Sequence, residues 1–181
     1  MLRGEQVVLR PLGAGDFAAW YDLTSANVEI SLLGLGNWVP FTRDLARKHW
    51  QDILLADPEQ RVRFAVEVNG GFIGHVALKD IDRRSQHAWL SIVLAGGQVG
   101  RGYGRDALRT LLHWAFEIQN LRRISLETWA TNERALRCYR AVGFVEEGCM
   151  REMMWLDGQY VDAIQMGLLR HEWREFRPRS S

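Results

Sequence analysis

The sequence predicts an α+β fold, with a mixed, mostly antiparallel central sheet of about seven strands flanked by about four helices. Three observations support it. Asn69-Gly70-Gly71 joins two alternating strand patterns, as in a hairpin. A strand, a helix and another strand follow between residues 88 and 129, and such a crossover makes the two strands parallel. Asp157-Gly158 joins two further strand patterns in a final hairpin.

The first third of the chain predicts one strand and two helices. Gln6 to Leu12 is typical of a strand closed by Pro11, and Asp16 is expected to cap a helix that runs through Leu23. Thr42 is expected to cap a second helix, which ends near Ala56. The connection from Asn27 to Phe41 is apolar, aperiodic and interrupted by glycine and proline, so we expect a long irregular loop. Loops of this length often have a functional role.

The rest of the chain predicts the main sheet and two more helices. The expected strands are Arg63 to Val68, Phe72 to Leu78, Ala88 to Leu94, Ile124 to Trp129, Val145 to Met154 and Tyr160 to Leu169. The expected helices are Gly104 to Ile118, which has a continuous apolar face, and Asn132 to Val142, which Gly143 ends.

Composition limits the classes of function. The 181 residues suit one domain, expected over 1–176, with a disordered tail at 177–181. Lys and Arg number 23 against 22 Asp and Glu, and a net charge of +1 provides no field for nucleic acid or an anionic membrane. No apolar run is long enough to span a membrane, and no signal peptide is apparent. Two cysteines predict neither a disulfide framework nor a metal site, so we expect a cytoplasmic protein.

A glycine-rich turn between strand and helix is the most informative local feature. Gly100, Gly102 and Gly104 follow the apolar strand and lead directly into the long amphipathic helix. Such a turn lets a phosphate approach the unpaired N–H groups and the positive end of a helix. An ordinary tight turn would use the same residues. Because Arg105 and Asp106 follow the last glycine, the lysine and hydroxyl of a P-loop are absent, and the glycine spacing also disfavours a Rossmann site.

The second informative segment runs from Thr131 to Phe144. Asn132 stands where a helix N-cap belongs, and Tyr139 falls two turns into the helix, near the face of Ala135. Read alone, the segment predicts a capped helix with a buried tyrosine.

Together, these segments resemble the Gcn5-related N-acetyltransferase superfamily over nearly the whole chain. The matching pieces are Val7 to Leu12, the Gly70-Gly71 hairpin, Arg101 to Leu108, Asn132 to Phe144 and the ending Gly158 to Asp162. The final hairpin and Leu168 to Trp173 look like the group containing ribosomal-protein N-terminal acetyltransferases and bacterial spermidine acetyltransferases. The resemblance implies direct transfer of an acetyl group from acetyl-CoA to an amine, without a metal, and a central parallel pair of strands that splay apart.

The resemblance also implies which residues hold the acyl donor. Ile92, Val93 and Leu94 would pair their backbone with the pantetheine arm, and Asn132 would bond to the same arm beside Ala135. The pyrophosphate would lie on the turn made by Val99, Gly100, Arg101, Gly102, Tyr103 and Gly104, with Arg101 and Arg105 as charge partners. Tyr139 matches the family position whose hydroxyl donates to the departing sulfur, and it is the expected general acid.

The general base is open, because Trp89 stands where many relatives of this group carry an acidic residue. A primary amine is mostly protonated at neutral pH, so a nearby group must take its proton. Glu127 is the leading candidate, ahead of His75 and His87. A strand glutamate that only faces solvent or pairs with an arginine is equally compatible with the sequence.

Acceptor specificity is the least determined property. The candidate acceptor residues are Glu29, Trp38, Phe41, Trp89 and Trp155. This aromatic set suits a protein N-terminus or a small amine with an apolar body, whereas a polyamine such as spermidine needs several carboxylates and is the alternative acceptor. The alternative from a different class of function is a non-catalytic module that binds acyl-CoA as a sensor. Homodimerisation is open.

Overall fold

A computed structural model describes residues 1–24, 42–156 and 158–176, and within them one sheet of eight strands dominates the fold. Its order is β1-β2-β3-β4-β5-β6-β8-β7. The strands are β1 (Leu2–Arg3), β2 (Val8–Pro11), β3 (Val62–Val68), β4 (Gly71–Asp82), β5 (His87–Leu94), β6 (Arg123–Trp129), β7 (Val145–Leu156) and β8 (Gln159–Leu169).

Five α-helices lie in the described ranges. They are α1 (Phe17–Thr24), α2 (Arg43–Leu54), α3 (Tyr103–His113), α4 (Glu133–Arg140) and α5 (Arg170–Phe176). The helix predicted from Gly104 to Ile118 is present, and its last stretch, Trp114–Ile118, winds as a π-helical turn. None of these helices is long and apolar enough to cross a membrane.

The predicted fold class is confirmed. Every strand pairing in the sheet is antiparallel except that of β5 with β6, the two strands that the crossover through α3 connects. The strand beyond the predicted seven is β1, which contributes only Leu2 and Arg3 opposite Leu9 and Val8. A two-residue strand is too short to show an alternating pattern, so its pairing is a tertiary property.

The main core lies between the sheet and α3. Leu108, Leu111 and Leu112 of α3 and Phe116 of the π turn are completely buried. They belong to the same cluster as the sheet residues Leu9, Val66, Val76, Leu78, Leu90, Ile124 and Leu126. Apolar periodicity predicted this helix. Burial of its apolar face against the sheet provides most of its stabilisation.

A smaller cluster joins α1 to α2. Trp20 and Trp50 are both buried, and their ring centroids are 5.0 Å apart around Ala46. Thr42 caps α2 as expected, since its hydroxyl accepts a hydrogen bond from the Leu45 N–H at 3.3 Å. Asp16 is not the cap of α1, because it ends a short 3₁₀ turn where Arg10 binds its carboxylate at 2.7 Å. The same carboxylate accepts a hydrogen bond from the Gly13 N–H at 2.9 Å, so Asp16 caps the 3₁₀ turn that precedes α1 instead of α1 itself.

Candidate active site

A cleft opens where the two parallel strands part. Pairing between β5 and β6 joins His87 to Arg123, Ala88 to Ile124 and Trp89 to Ser125, and there it stops. From Leu90 onward, β5 has a partner on one side only, the antiparallel strand β4. The space between the strands has a volume of about 1040 Å³. An extended ligand could therefore pair with the free edge of β5 as an added strand does.

Most of the predicted donor-binding residues line this cleft. They are Ile92, Val93, Leu94, Val99, Gly100, Gly102, Gly104, Arg105, Asn132, Ala135 and Tyr139. Two predicted residues do not line it: Arg101 is exposed to solvent, and Tyr103 packs against the main core. The cleft thus brings together β5, the glycine turn and α4, which are separate in the sequence.

The glycine turn has the geometry of an anion site. Gly100 and Gly102 have φ values of 82° and 88°, a region that favours glycine. Nothing lies within 4 Å of a Cβ built on Gly100, so the turn is open on that side. The α3 helix begins directly after Gly102, and its first N–H groups and positive dipole end adjoin the cleft, with Arg105 in the first turn.

Tyr139 combines burial with access to the cleft. The residue is 7% exposed, and it lines the cleft from the second turn of α4. Burial raises the pKa of its phenol above the usual value near 10, and the neighbouring Cys138 adds to the effect. The hydroxyl therefore stays protonated at neutral pH and is available as a hydrogen-bond donor.

Asn132 begins the helix that carries Tyr139. Its side-chain oxygen caps α4 by accepting a hydrogen bond from the Ala135 N–H at 3.2 Å. The predicted capped helix is confirmed. The amide NH₂ of Asn132 remains available, because the cap uses only the oxygen.

The other end of the cleft carries aromatic side chains and a glutamate. Trp89 and Glu127 both line it, and strand alternation places them on the same face of the sheet, since Trp89 pairs with Ser125 two residues before Glu127. Glu127 is exposed, and its carboxylate has no ion pair or hydrogen bond with the described residues. The geometry of the described residues therefore does not support the alternative in which Glu127 pairs with an arginine. Trp155 lines the cleft from β7.

The histidine candidates lie elsewhere. His75 is 6% exposed and does not line the cleft, and burial, with a smaller contribution from Arg63, lowers its pKa to about 3. His87 contacts the Ser125 hydroxyl at 3.1 Å at the closed end of the parallel pair, and burial lowers its pKa too. Both groups are therefore weak proton acceptors near neutral pH. Glu29, Trp38 and Phe41 lie outside the described residues.

Several lining residues could not be found from the sequence. Lys79, Asp80, Trp129, Arg134, Arg137, Met153 and Met154 line the cleft. Asp80 has a φ of 51° at an irregularity in the pairing of β4 with β5. Glu152 has a φ of 53° where the register of β7 shifts, just before Met153. Such irregularities redirect side chains, and no residue pattern signals them here.

The comparisons with known proteins agree with this geometry. The model of the acetyltransferase (GNAT) domain family matches residues 6–145. The spermidine N(1)-acetyltransferase of Vibrio cholerae is 30% identical over 171 residues, which cover 93% of this chain and 95% of that protein. The Escherichia coli K12 enzyme of the same name is 30% identical over 130 residues, 72% of this chain and 67% of that one. A Bacillus subtilis protein provisionally named a ribosomal N-acetyltransferase is 29% identical over 105 residues, 58% of this chain and 57% of that one.

Solved structures show the same likeness. The crystal structure of the Vibrio cholerae spermidine N-acetyltransferase in complex with CoA and spermine superposes with a TM-score of 0.83 at 29% identity, covering 93% of this chain and 98% of that one. The chain therefore belongs to the GNAT acetyltransferase family, and it is an N-acetyltransferase. The suspected family and the predicted enzyme class are confirmed.

Proposed function

We propose that this protein transfers an acetyl group from acetyl-CoA directly to one primary amine carried on an apolar body, either a peptide N-terminus or a small-molecule amine. The single observation that carries the proposal is the cleft between β5 and β6, which runs from the glycine turn past Tyr139 to Trp89 and Glu127. Acetyl-CoA supplies the acyl thioester. The residues of the chain bind it, orient it and handle the protons.

The free edge of β5 and the glycine turn suit the two parts of the donor. Leu90 to Leu94 offer unpaired backbone groups to the amides of a pantetheine arm. The N–H groups that follow Gly102, together with the Arg105 guanidinium, suit a diphosphate.

Tyr139 and Glu127 are assigned complementary roles. Tyr139 donates a hydrogen bond to the thioester sulfur as negative charge develops there. Because burial raises the pKa of its phenol, hydrogen bonding contributes more than full proton transfer. Glu127 accepts the proton that the attacking ammonium must lose, directly or through a water molecule.

The described acceptor end favours a single ammonium. Glu127 and Asp80 are the carboxylates among the described lining residues, whereas Lys79, Arg105, Arg134 and Arg137 are cationic. Trp89, Met153, Met154 and Trp155 provide apolar and π surface that can hold a carbon body and one ammonium. A polyamine is the alternative acceptor, and its support is the likeness to spermidine N-acetyltransferases at 30% identity.

The decisive experiment measures release of free thiol from acetyl-CoA with a panel of amines. The panel contains short peptides with different N-termini, arylalkylamines, aminoglycosides, spermidine and spermine. We expect the highest kcat/KM with an amine that has an apolar body. Turnover confined to spermidine and spermine would replace our acceptor with the polyamine alternative. Tight acetyl-CoA binding without turnover of any amine would contradict the proposed acceptors, and absence of acetyl-CoA binding would overturn the proposal.

Homodimerisation stays a prediction, and light scattering of the purified protein would decide it.

A further inference from the structure

The N-terminal segment is held against the helix that follows the glycine turn by one buried carboxylate. Asp106, in the first turn of α3, is 7% exposed. Its oxygens accept hydrogen bonds from the backbone N–H groups of Glu5, Gln6 and Val7 at 3.0, 2.7 and 2.9 Å. Three donors compensate the buried charge, so the carboxylate is directed to residues 5–7 and not to the cleft.

Close packing at Gly4 completes this attachment. A Cβ built on Gly4 would lie 2.6 Å from an Asp106 carboxylate oxygen and 2.6 Å from the Thr110 hydroxyl. The Gly4 N–H also donates to the Val7 carbonyl at 2.9 Å, which closes the turn. The backbone of Gly4 therefore rests directly on α3, with no room for a side chain at that position.

The attachment brings the side chain of Gln6 over the glycine turn. Its amide nitrogen, Nε2, lies 3.2 Å from the position of a Cβ built on Gly102. Gln6 is exposed, and within the described chain its side-chain amide has no hydrogen-bond partner. Gly102 lines the cleft and Gln6 does not, so the free amide donor lies beside the glycine turn, just outside the cleft lining.

We propose that the Gln6 side-chain amide binds the diphosphate of the acyl donor, and that Asp106 is the positioning residue that holds Gln6 there. The inference rests on the proposed placement of acetyl-CoA in the cleft. It adds to the glycine turn a donor from the other end of the chain, 96 residues before Gly102 in sequence number.

The first test measures direct binding by calorimetry, with CoA and with 3′-dephospho-CoA, which keeps the diphosphate. Gln6→Ala is expected to raise the Kd of both ligands about threefold to tenfold, the effect of losing one exposed hydrogen bond to a charged group. Gln6→Glu is expected to raise both further, because it places a like charge beside the diphosphate. Glu5→Ala is the matched control, since Glu5 makes the same backbone contact with Asp106 but lines a separate hollow that the glycine turn does not border.

Each outcome decides the inference. An unchanged Kd in Gln6→Ala, an equal effect in Glu5→Ala, or an effect that vanishes with 3′-dephospho-CoA would overturn it. CoA binding that is tight and independent of Gln6 would leave the proposed function intact. No CoA binding by the unaltered protein would instead overturn the proposed function.

Asp106→Asn tests the positioning role. If Asp106 acts through Gln6, adding Gln6→Ala to Asp106→Asn will not raise the Kd for CoA any further, whereas independent effects would multiply. Multiplied effects would remove Asp106 from the proposal. If Asp106→Asn does not fold, as judged by circular dichroism, the Gln6 variants alone decide whether the amide binds the diphosphate.

Discussion

The phenol of Tyr139 is placed to act without losing its proton. It is nearly buried, yet it lines the cleft, and burial raises its pKa. A hydroxyl in this state can stabilise developing negative charge on sulfur across the physiological pH range.

Tyr139→Phe should lower kcat by about 10²-fold or more, the usual contribution of a positioned proton or hydrogen-bond donor. The Kd for acetyl-CoA should change little, because the ring and its edge contact with Phe144 are kept. Steady-state thiol release and calorimetry measure the two quantities. Tyr160→Phe, an exposed tyrosine in the last hairpin, is the control. Full kcat in Tyr139→Phe would remove the residue from the mechanism.

Glu127→Gln should lower kcat/KM for the amine about 10²-fold and change its dependence on pH, since the amide cannot accept the proton. Glu59→Gln is a matched control, because that glutamate pairs with Arg83 at the surface and neither residue lines the cleft. Asp80→Asn tests the other described carboxylate in the cleft. A pH profile unchanged in Glu127→Gln but altered in Asp80→Asn would transfer the role of base to Asp80.

The edge of β5 that we propose binds the acyl donor depends on how closely β4 approaches it. Gly74 of β4 pairs with Leu94, and a Cβ built on Gly74 would lie 2.2 Å from the Val93 carbonyl oxygen. The strand therefore needs glycine at this position to keep β5 in place.

Gly74→Ala should reduce the free energy of unfolding by about 1–3 kcal/mol, the range for overpacking, and should also raise the Kd for acetyl-CoA because Val93 and Leu94 must shift. Chemical denaturation and calorimetry measure the two effects. Gly97→Ala is the control, since nothing lies within 4 Å of a Cβ at that position. If the two variants had the same free energy of unfolding and the same Kd for acetyl-CoA, the sheet would tolerate the displacement and the prediction would be wrong.

Some parts of the candidate site could be predicted from the sequence, and others could not. The helix starts at Thr42 and Asn132 were predicted from local capping signals, and both side chains make the expected bonds. Trp129, Met153 and Met154 were not predicted to line the cleft. Their positions depend on how β6 diverges from β5 and on a register shift in β7, and neither leaves a periodic signal.

For the molecule as a whole, the buried His75 links stability to pH. It lies in the sheet opposite Ala65 and Val93, its Nδ1 has no hydrogen-bond partner, and burial lowers its pKa to about 3. In the unfolded chain the His75 imidazole takes up a proton near pH 6.5, whereas in the folded protein it does so only near pH 3. The contribution of neutral His75 to folding stability is therefore fully present above pH 6.5 and is lost as the pH decreases toward 3.

His75→Gln should weaken the acid sensitivity of folding. Below pH 6.5, the unaltered protein should lose up to about 1.4 kcal/mol of unfolding free energy per pH unit more than the variant loses. Urea denaturation between pH 7.5 and pH 4.5 measures the difference in slope. His171→Gln, at an exposed histidine, should behave as the unaltered protein does. Parallel slopes for His75→Gln and the unaltered protein would contradict the prediction.

Short-range periodicity, capping and turn chemistry were enough to predict the order and type of most elements, the parallel crossover and the glycine turn, because these are properties of neighbouring residues. The role expected of Tyr139 came from the family resemblance, since local patterns alone predicted only a buried tyrosine. The folded structure was needed to show where β5 and β6 part, that Asp80 and Met153 reach the cleft, and that Asp106 holds the backbone of Gln6 beside Gly102. These contacts join residues far apart in the chain, and their energies depend on packing that no local pattern encodes.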